Sequence, residues 1–257
     1  MKAIELKKVS FSYDGKNNIL LNADYSVDYG EVCLLSGHSG EGKSTLMYII
    51  SGIIPNVNYG QLSGEVLING ESIKGRKLGD ICRKVGVVLQ NADEQIVQKI
   101  VEDEVAFACE NLAFPPAKIQ RQIDIVCNLL KLDKNAKCRT LSGGQKQRLA
   151  LAVNLVADKD IYVFDEATSN IDVDSEAIIM KNIKEMSESK SVIVISHRLA
   201  NVVPADNIYF MQDGQVKESG SHNQLMEQKG EYAQLFNAQK QLEEGYKSGK
   251  ASAEVVA

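Results

Sequence analysis

The chain contains 257 residues, of which 44 % are hydrophobic and 25 % are charged, so it is long enough for one large or two small folded units with a real core. Its formal net charge of −5 argues against a general nucleic-acid binder. The cysteines form no Cys-x-x-Cys pair and lie mostly among apolar residues, so we expect reduced thiols in a cytosolic core rather than disulfides. They are Cys33, Cys82, Cys109, Cys127 and Cys138.

Neither a signal peptide nor a membrane span is predicted from the sequence. Residues 1–8 contain no apolar signal core, and no apolar run approaches the roughly 20 residues that span a bilayer. If the protein acts at a membrane, we therefore expect another chain to supply the spans.

The first 30 residues predict an antiparallel hairpin. Residues 3–11 and 19–27 alternate loosely between apolar and polar, and the Asp14-Gly15 pair between them is a turn signal. Tyr13 lies just before this turn. An aromatic side chain there could stack on a nucleotide base or could be an ordinary strand residue, and the local sequence leaves both interpretations open.

The central motif of the chain occupies residues 37–45 and follows the pattern G-x-x-x-x-G-K-[ST]. An apolar strand is predicted before it and an apolar helix after it, which is the context that a phosphate-binding loop requires. The residues of the motif are Gly37, His38, Ser39, Gly40, Glu41, Gly42, Lys43, Ser44 and Thr45.

The residue types of this motif suit a bound phosphate. Its three glycines let the backbone fold closely around an anion with N–H groups pointing inward, and the N-terminus of the next helix adds partial positive charge. Lys43 would reach the β- and γ-phosphates, and Ser44 would offer its hydroxyl to Mg²⁺.

Two further strands follow the loop helix. Residues 64–70 form a short strand that is closed by an Asn-Gly turn, and residues 85–89 form a buried strand that ends at Gln90. An amide near the phosphate loop could ligate Mg²⁺ and orient water, or it could simply cap the strand; both roles stay open for Gln90.

The stretch from about 91 to 157 changes to a helical pattern. Apolar residues recur at helical spacing over 101–112 and again over 119–132, with two prolines between them. We therefore predict a helical subdomain, inserted in the core. It ends in Leu-Ser-Gly-Gly-Gln-Lys-Gln-Arg at 141–148, where Ser142 is placed to cap the next helix. This turn is either a second anion site or a simple capped turn.

Two buried strands then deliver polar side chains to the carboxyl edge of the predicted sheet, where ligands bind. The strand over 161–164 leads into Asp165, which would hold Mg²⁺, and Glu166, which would polarise the attacking water. The strand over 191–195 leads to His197, which could be a γ-phosphate sensor or a core histidine.

The C-terminal part contains a predicted hairpin over 208–216 with an Asp-Gly turn, and a capping box at Ser221 and Gln224. Residues 240–257 are polar and rich in small residues, so we expect a flexible C-terminal tail.

Five motifs, in their order along the chain, resemble those of the ATP-binding cassette (ABC) ATPases. They are the phosphate loop, Gln90, the signature at 141–148, the Asp165-Glu166 pair and His197. The signature is specific to that family when a phosphate loop precedes it. The resemblance covers almost the whole chain. It implies an α/β fold: a RecA-like phosphate-loop (P-loop) NTPase core, an N-terminal antiparallel β subdomain and the inserted helical subdomain, within one ATP-binding domain over 1–239.

The resemblance also implies roles for individual residues. Tyr13 becomes the aromatic residue that stacks on adenine. Gln90 becomes the Q-loop glutamine, which ligates Mg²⁺ and orients water. Asp165 is then the magnesium-site acid of the Walker B strand, Glu166 the catalytic base and His197 the switch histidine. The signature residues would contact the ATP that is bound to a second cassette; they are Ser142, Gly143, Gly144 and Gln145.

The sequence departs from the family pattern at a few positions. Asn170-Ile171 stands where Ala-Leu is more frequent in the D-loop at 169–172, and His38 and Ala92 stand where proline is frequent. None of these departures removes a charged or catalytic group, so we expect ATP hydrolysis.

Within the family, two sets of segments point in different directions. One set resembles the ATPases of energy-coupling-factor (ECF) importers of vitamins and metal ions: 54–55, 63–66, 90–97 and 101–107. The other, at 196–199 and 218–222, resembles exporter cassettes. We give the first set more weight, because the segment after the Q-loop contacts the membrane partner in this family.

The resemblance therefore implies a peripheral subunit at the cytoplasmic face of the cell membrane that binds ATP and Mg²⁺. Its expected partners are a second cassette, in a homo- or heterodimer, and integral membrane subunits, with no nucleic acid. The alternatives are a split ABC exporter, a soluble ABC ATPase of DNA repair or the ribosome, and a nucleotide sensor without hydrolysis.

Overall fold

The computed structural model describes residues 1–167, 172–196 and 205–254. The strands in these ranges are β1 Lys2–Ser12, β2 Leu20–Asp28, β3 Val32–Gly37, β4 Gln61–Ile68, β5 Glu71–Ser72, β6 Val85–Val88, β7 Ile161–Asp165, β8 Ser191–Ile195, β9 Asn207–Gln212 and β10 Gln215–Gly220. The helices are α1 Lys43–Ile50, α2 Ile53–Asn56, α3 Leu78–Cys82, α4 Val101–Asn111, α5 Pro116–Leu129, α6 Gly143–Leu155, α7 Val173–Ser187, α8 His222–Gln228 and α9 Glu231–Glu254.

The N-terminal strands form an antiparallel sheet in the order β2-β1-β4-β5. The predicted opening hairpin is confirmed, with Leu6 paired to Tyr25 of β2 on one side and to Val66 of β4 on the other. The turn between β4 and β5 is the predicted Asn69-Gly70 pair, and both residues have positive φ, 51° and 76°. That conformation suits a hairpin because its twist matches the twist of the strands.

The second sheet has the order β10-β9-β3-β8-β7-β6. All neighbours pair in parallel except β9 and β10, which form the predicted hairpin around Asp213-Gly214. Strands β3, β7 and β8 are buried along their whole length. Continuous apolar strands of this kind are typical of a parallel sheet that is covered on both faces.

Alternate residues of the parallel strands pack into different cores. Cys33 and Val163 face the cluster between the two sheets and α1. Phe164 faces a second cluster, which contains the buried residues of α4, α5 and α6. Leu34 and Phe210 join a third cluster with Leu225 and Tyr232 of the C-terminal helices.

The helical stretch lies between β6 and β7, as the periodicity predicts. Val101, Val105 and Cys109 form the buried face of α4, and Pro116 occupies the first turn of α5, where its missing N–H costs nothing. Short 3-10 helices at Ala92–Glu94 and Cys138–Thr140 flank this stretch. The division into a domain over 1–239 with an insert over 91–157 stays a prediction.

Because β3, β6, β7 and β8 run parallel, their carboxyl ends meet at one edge of the sheet. The phosphate loop follows β3, Gln90 follows β6 and Glu166 follows β7 at that edge. The sheet topology therefore assembles the predicted site, as expected for the open edge of an α/β sheet.

The last described helix, α9, runs to Glu254. The flexible C-terminal tail over 240–257 stays a prediction. Helix α7 was not predicted. His197 and D-loop residues 169–171 lie outside the described residues. Among the described helices, none has the length and apolar composition to cross a bilayer.

Candidate nucleotide-binding site

The backbone of the phosphate loop fits closely against neighbouring strands. Gly37 has a φ of +141°, and a Cβ there would come within 2.3 Å of the Met211 carbonyl oxygen on β9. Gly42, at the N-cap of α1, has a φ of +90°, and a Cβ there would lie 2.9 Å from the Ile19 carbonyl oxygen. Only glycine fits both positions without strain, so the loop is a preformed backbone cradle of the kind that binds phosphate.

The lysine of the loop is folded into this cradle. Lys43 is 6 % exposed, and its ammonium donates to the carbonyl oxygens of Gly37 at 2.8 Å and His38 at 2.6 Å. Burial lowers the pKa of Lys43, although the nearby carboxylates of Glu166, Glu41 and Asp165 oppose that shift. The positively charged Lys43 ammonium therefore lies within the loop, where it can interact with the oxygens of a bound phosphate.

A carboxylate and a hydroxyl lie beside the loop in an arrangement that fits Mg²⁺. Asp165 is 8 % exposed at the end of β7, and the Ser44 hydroxyl lies close enough to its carboxylate to stabilise the charged form. Burial and, to a smaller extent, the charge of Glu166 raise the pKa of Asp165 to about 6, although Ser44 and Lys43 oppose this shift. Such hard oxygen ligands are the ones that Mg²⁺ prefers. The residues present therefore fit the cation that the resemblance implies.

Glu166 has a strained backbone and an amide partner. Its φ of +49° lies in the left-handed region, which non-glycine residues seldom adopt outside turns and functional sites. Its N–H donates to the Ile195 carbonyl oxygen at 2.9 Å, which fixes the turn against β8. The Gln90 Nε2 atom donates to Glu166 Oε2 at 2.9 Å, so the structure joins the ends of β6 and β7 through the two predicted catalytic side chains.

Tyr13 lies at the rim of the same loop. Its ring is 47 % exposed and packs edge-on against Phe11 at 4.7 Å, and its hydroxyl is 3.4 Å from Thr45 Oγ1 on α1. Asp14 organises this turn by accepting hydrogen bonds from the N–H groups of Lys16 and Asn17, both at 2.8 Å. These bonds hold the pKa of Asp14 well below its usual range. An exposed aromatic face beside a phosphate loop can stack on a base.

The remaining loop residues differ in their contacts. The His38 ring lies edge-on to Phe210 at 6.2 Å, and Ser39 and Gly40 are exposed. The Glu41 carboxylate accepts a hydrogen bond from the Asp213 N–H, which ties the phosphate loop to the β9–β10 turn. Sequence reasoning missed the contributions of Asp14 and Glu41. The Asp-Gly turn signal indicates the first, whereas the second depends on a partner 172 residues away.

The signature segment forms the predicted capped helix start. The Gln145 N–H donates to the Ser142 hydroxyl at 3.2 Å, and the Ser142 N–H donates to the Gln145 side-chain oxygen at 2.8 Å. Gly143 is exposed, whereas a Cβ on Gly144 would lie 2.3 Å from Asp172 Oδ2, so the start of α6 packs on the start of α7. Ser142 and Gln145 line an open cavity whose described lining residues include none from the phosphate loop.

The geometry defines a class of protein. A glycine-rich loop with a buried lysine follows β3 of a mostly parallel sheet, and an acid at the end of β7, which is separated from β3 by β8 in the same sheet, lies beside the loop serine. This is the P-loop NTPase fold. The sequence model of the family described as "ABC transporter" matches residues 20–169, more than half of the chain. The chain therefore belongs to the ABC transporter family and is one of its ATP-binding cassettes.

Both an energy-coupling factor transporter protein and a flippase are similar to this chain. It is 34 % identical to the energy-coupling factor transporter ATP-binding protein EcfA1 of Streptococcus mutans, over 91 % of this chain and 84 % of that one. It is 33 % identical to the ATP-dependent lipid A-core flippase of Haemophilus influenzae, over 92 % of this chain and 41 % of that one. The structure of CbiO1 from Clostridium perfringens, part of the ABC transporter complex CbiONQ, superposes with a TM-score of 0.76 at 27 % identity, over 89 % of this chain and 92 % of that chain.

The lengths of these relatives differ. The chain spans about two-fifths of the first curated relatives that it matches, 43 % of one and 41 % of the other.

Proposed function

We propose that this chain is the ATP-hydrolysing subunit of a membrane transporter, namely an ECF-type importer of a vitamin or a metal ion. The observation that carries the proposal is the convergence of Lys43, Asp165, Glu166 and Gln90 at one edge of the sheet. Similarity to EcfA1 over nearly the full length of both chains supports the importer assignment.

Nucleotide binding uses three parts of the site. The Tyr13 ring stacks on adenine, and the N–H groups of the loop 37–45 together with Lys43 bind the phosphates. Ser44 and Asp165 would hold Mg²⁺ with help from Gln90, and the cation would neutralise developing charge on the β- and γ-phosphates.

Hydrolysis uses Glu166 as the general base. The carboxylate accepts a proton from water as the water oxygen attacks the γ-phosphorus, and the bond to the β–γ bridging oxygen breaks. Gln90 holds the Glu166 carboxylate through the hydrogen bond described above and orients the water. His197, by family resemblance, contacts the γ-phosphate.

A second cassette completes the site. The start of α6, from Ser142 to Gln145, presents a helix N-terminus and an exposed glycine, which suit the γ-phosphate bound to the partner cassette. ATP then favours the closed dimer because this contact exists only there.

Membrane attachment uses the segment after Gln90. Val97 is 64 % exposed and Phe107 on α4 is 41 % exposed, so apolar surface is available next to the Q-loop. We assign this surface to an integral membrane subunit, with the cassette at the cytoplasmic face as a peripheral protein and with no nucleic-acid partner.

Similarity to the flippase favours a second candidate, the cassette of a split ABC exporter. Both candidates are tested by isolating the tagged chain from membranes of its own host and identifying the membrane proteins that co-purify. The importer proposal expects a substrate-binding membrane subunit and a coupling membrane subunit, and the exporter candidate expects one membrane protein with the spans of an export channel. Recovery of the chain from the soluble fraction alone would contradict both.

A further inference from the structure

Strand β6 forms one edge of the parallel sheet, yet both backbone groups of Val87 on this edge have side-chain partners. Asn154 on α6 donates to the Val87 carbonyl oxygen at 2.9 Å and accepts from the Val87 N–H at 3.1 Å. Gln95 donates to the same carbonyl at 2.9 Å and accepts from the Leu89 N–H at 2.8 Å. Side-chain amides thus replace a neighbouring strand and protect the edge.

Gln147 continues this pairing into the catalytic segment. Its side chain is 3 % exposed, and its Nε2 atom donates to two consecutive carbonyl oxygens, those of Leu89 at 3.2 Å and of Gln90. A buried amide with both N–H groups engaged fixes the main chain at this point, because losing it would leave two carbonyl groups without their donor.

This contact connects two functional segments. Gln147 lies in the first turns of α6, five residues after Ser142, and the Gln90 main chain that it holds carries the amide that donates to Glu166. Lys146 adds an ion pair with Asp93 at 2.6 Å, but Asp93 is 63 % exposed, so that pair contributes little rigidity.

We infer that Gln147 is a positioning residue for ATP hydrolysis: it fixes the Gln90 main chain to the signature helix, and so sets the place of the Gln90 amide against Glu166. The inference rests on the proposed roles of Gln90 and Glu166. Its consequence is that a displacement of the signature helix would shift the Gln90 main chain and, with it, the amide that donates to Glu166.

The test is a double-mutant cycle on the full chain in its co-purified transporter complex. Gln147→Leu keeps the volume and removes both donors, and Gln147→Met replaces it if the leucine variant does not fold. We expect kcat to fall roughly 10- to 100-fold, the scale of a small misplacement, with KM for ATP within about twofold. Asn154→Leu is the matched control. It removes a side-chain amide that is hydrogen-bonded to the backbone of the same strand, but at Val87, which has no proposed role in the site.

The second arm repeats Gln147→Leu in a Gln90→Ala background. If Gln147 acts through Gln90, the double variant turns over no more slowly than Gln90→Ala alone. Additive losses, or an equal loss of kcat in Asn154→Leu at matched thermal stability, would overturn the inference and indicate a structural role. Normal turnover in Gln90→Ala alone would contradict the proposed role of Gln90 and therefore also the inference about Gln147. Failure of the proposed function is thus distinguishable from failure of the inference alone.

Discussion

Replacing Glu166 by glutamine tests the assignment of the general base. The substitution changes one oxygen to an amide nitrogen and so removes the proton acceptor, while the remaining carbonyl oxygen can still accept the hydrogen bond from Gln90. Lys43 and Ser44 are unchanged. ATP binding should therefore persist, and only the proton-transfer step should be lost.

The expected magnitude follows from the usual contribution of a positioned base. We expect kcat to fall by roughly 10²–10⁴, which corresponds to about 3–5 kcal/mol in the activation free energy. Phosphate release from the chain purified with its cognate cassette measures kcat. Calorimetry measures ATP affinity, which should stay within a few-fold of the wild-type value.

Glu188→Gln is the matched control, because it neutralises an exposed acid at the C-cap of α7, away from the sheet edge. It should leave turnover unchanged. Turnover of Glu166→Gln within a factor of about three of the wild type, or an equal loss in both variants, would refute the reasoning that Glu166 accepts the proton.

Three further substitutions probe the rest of the site. Lys43→Ala removes the phosphate charge partner and should abolish measurable ATP binding by calorimetry; unchanged affinity would show that the loop is not the phosphate site. Asp165→Asn should lose Mg²⁺-dependent hydrolysis yet raise the stability of the nucleotide-free protein by roughly 2–3 kcal/mol at pH 7 in urea unfolding. The reason is that the Asp165 carboxyl, with a pKa of about 6 in the folded protein, is ionised at pH 7 in a buried environment, which destabilises the folded wild-type protein. The gain should fade as the pH falls from about 6 and disappear below about 4, where the wild-type carboxyl becomes protonated in the unfolded state as well. A gain that is independent of pH would contradict this cause. Glu166→Gln protein, with its cognate cassette present, should dimerise with ATP but not with ADP, as measured by light scattering. Adding Gly143→Asp should abolish this dimerisation, because a carboxylate then faces the phosphate. Equal dimerisation by the double variant would contradict the proposed contact of residues 142–145 with the ATP of the partner cassette.

Features that depend on local sequence could be predicted. The Asn69-Gly70 and Asp213-Gly214 turns, the N-cap at Ser142 and the capping box at Ser221 all form as expected, because a few adjacent residues determine each of them. The strand–loop–helix context of the phosphate loop is likewise local. The parallel order of the strands follows from the family resemblance rather than from any short segment.

Contacts between distant segments could not be predicted. Gln90 meets Glu166 across 76 residues, and Gln147 reaches the Leu89 and Gln90 carbonyls across 58 and 57 residues. The first pair depends on how β6 and β7 lie side by side in the sheet, and the second on how α6 packs against β6; no periodicity encodes either arrangement. The φ of +49° at Glu166 is equally invisible in sequence, because nothing in the residue type indicates a left-handed conformation.

The most direct test of the proposed function is uptake by cells that depend on this chain. Accumulation of radiolabelled vitamins and first-row divalent metal ions is measured in cells carrying the wild-type chain or Glu166→Gln at equal expression. An ATP-driven importer predicts that the variant lowers accumulation of at least one compound to the level of cells without the chain. Higher accumulation in the variant, as expected when export is lost, or equal accumulation of every compound, would contradict the proposal.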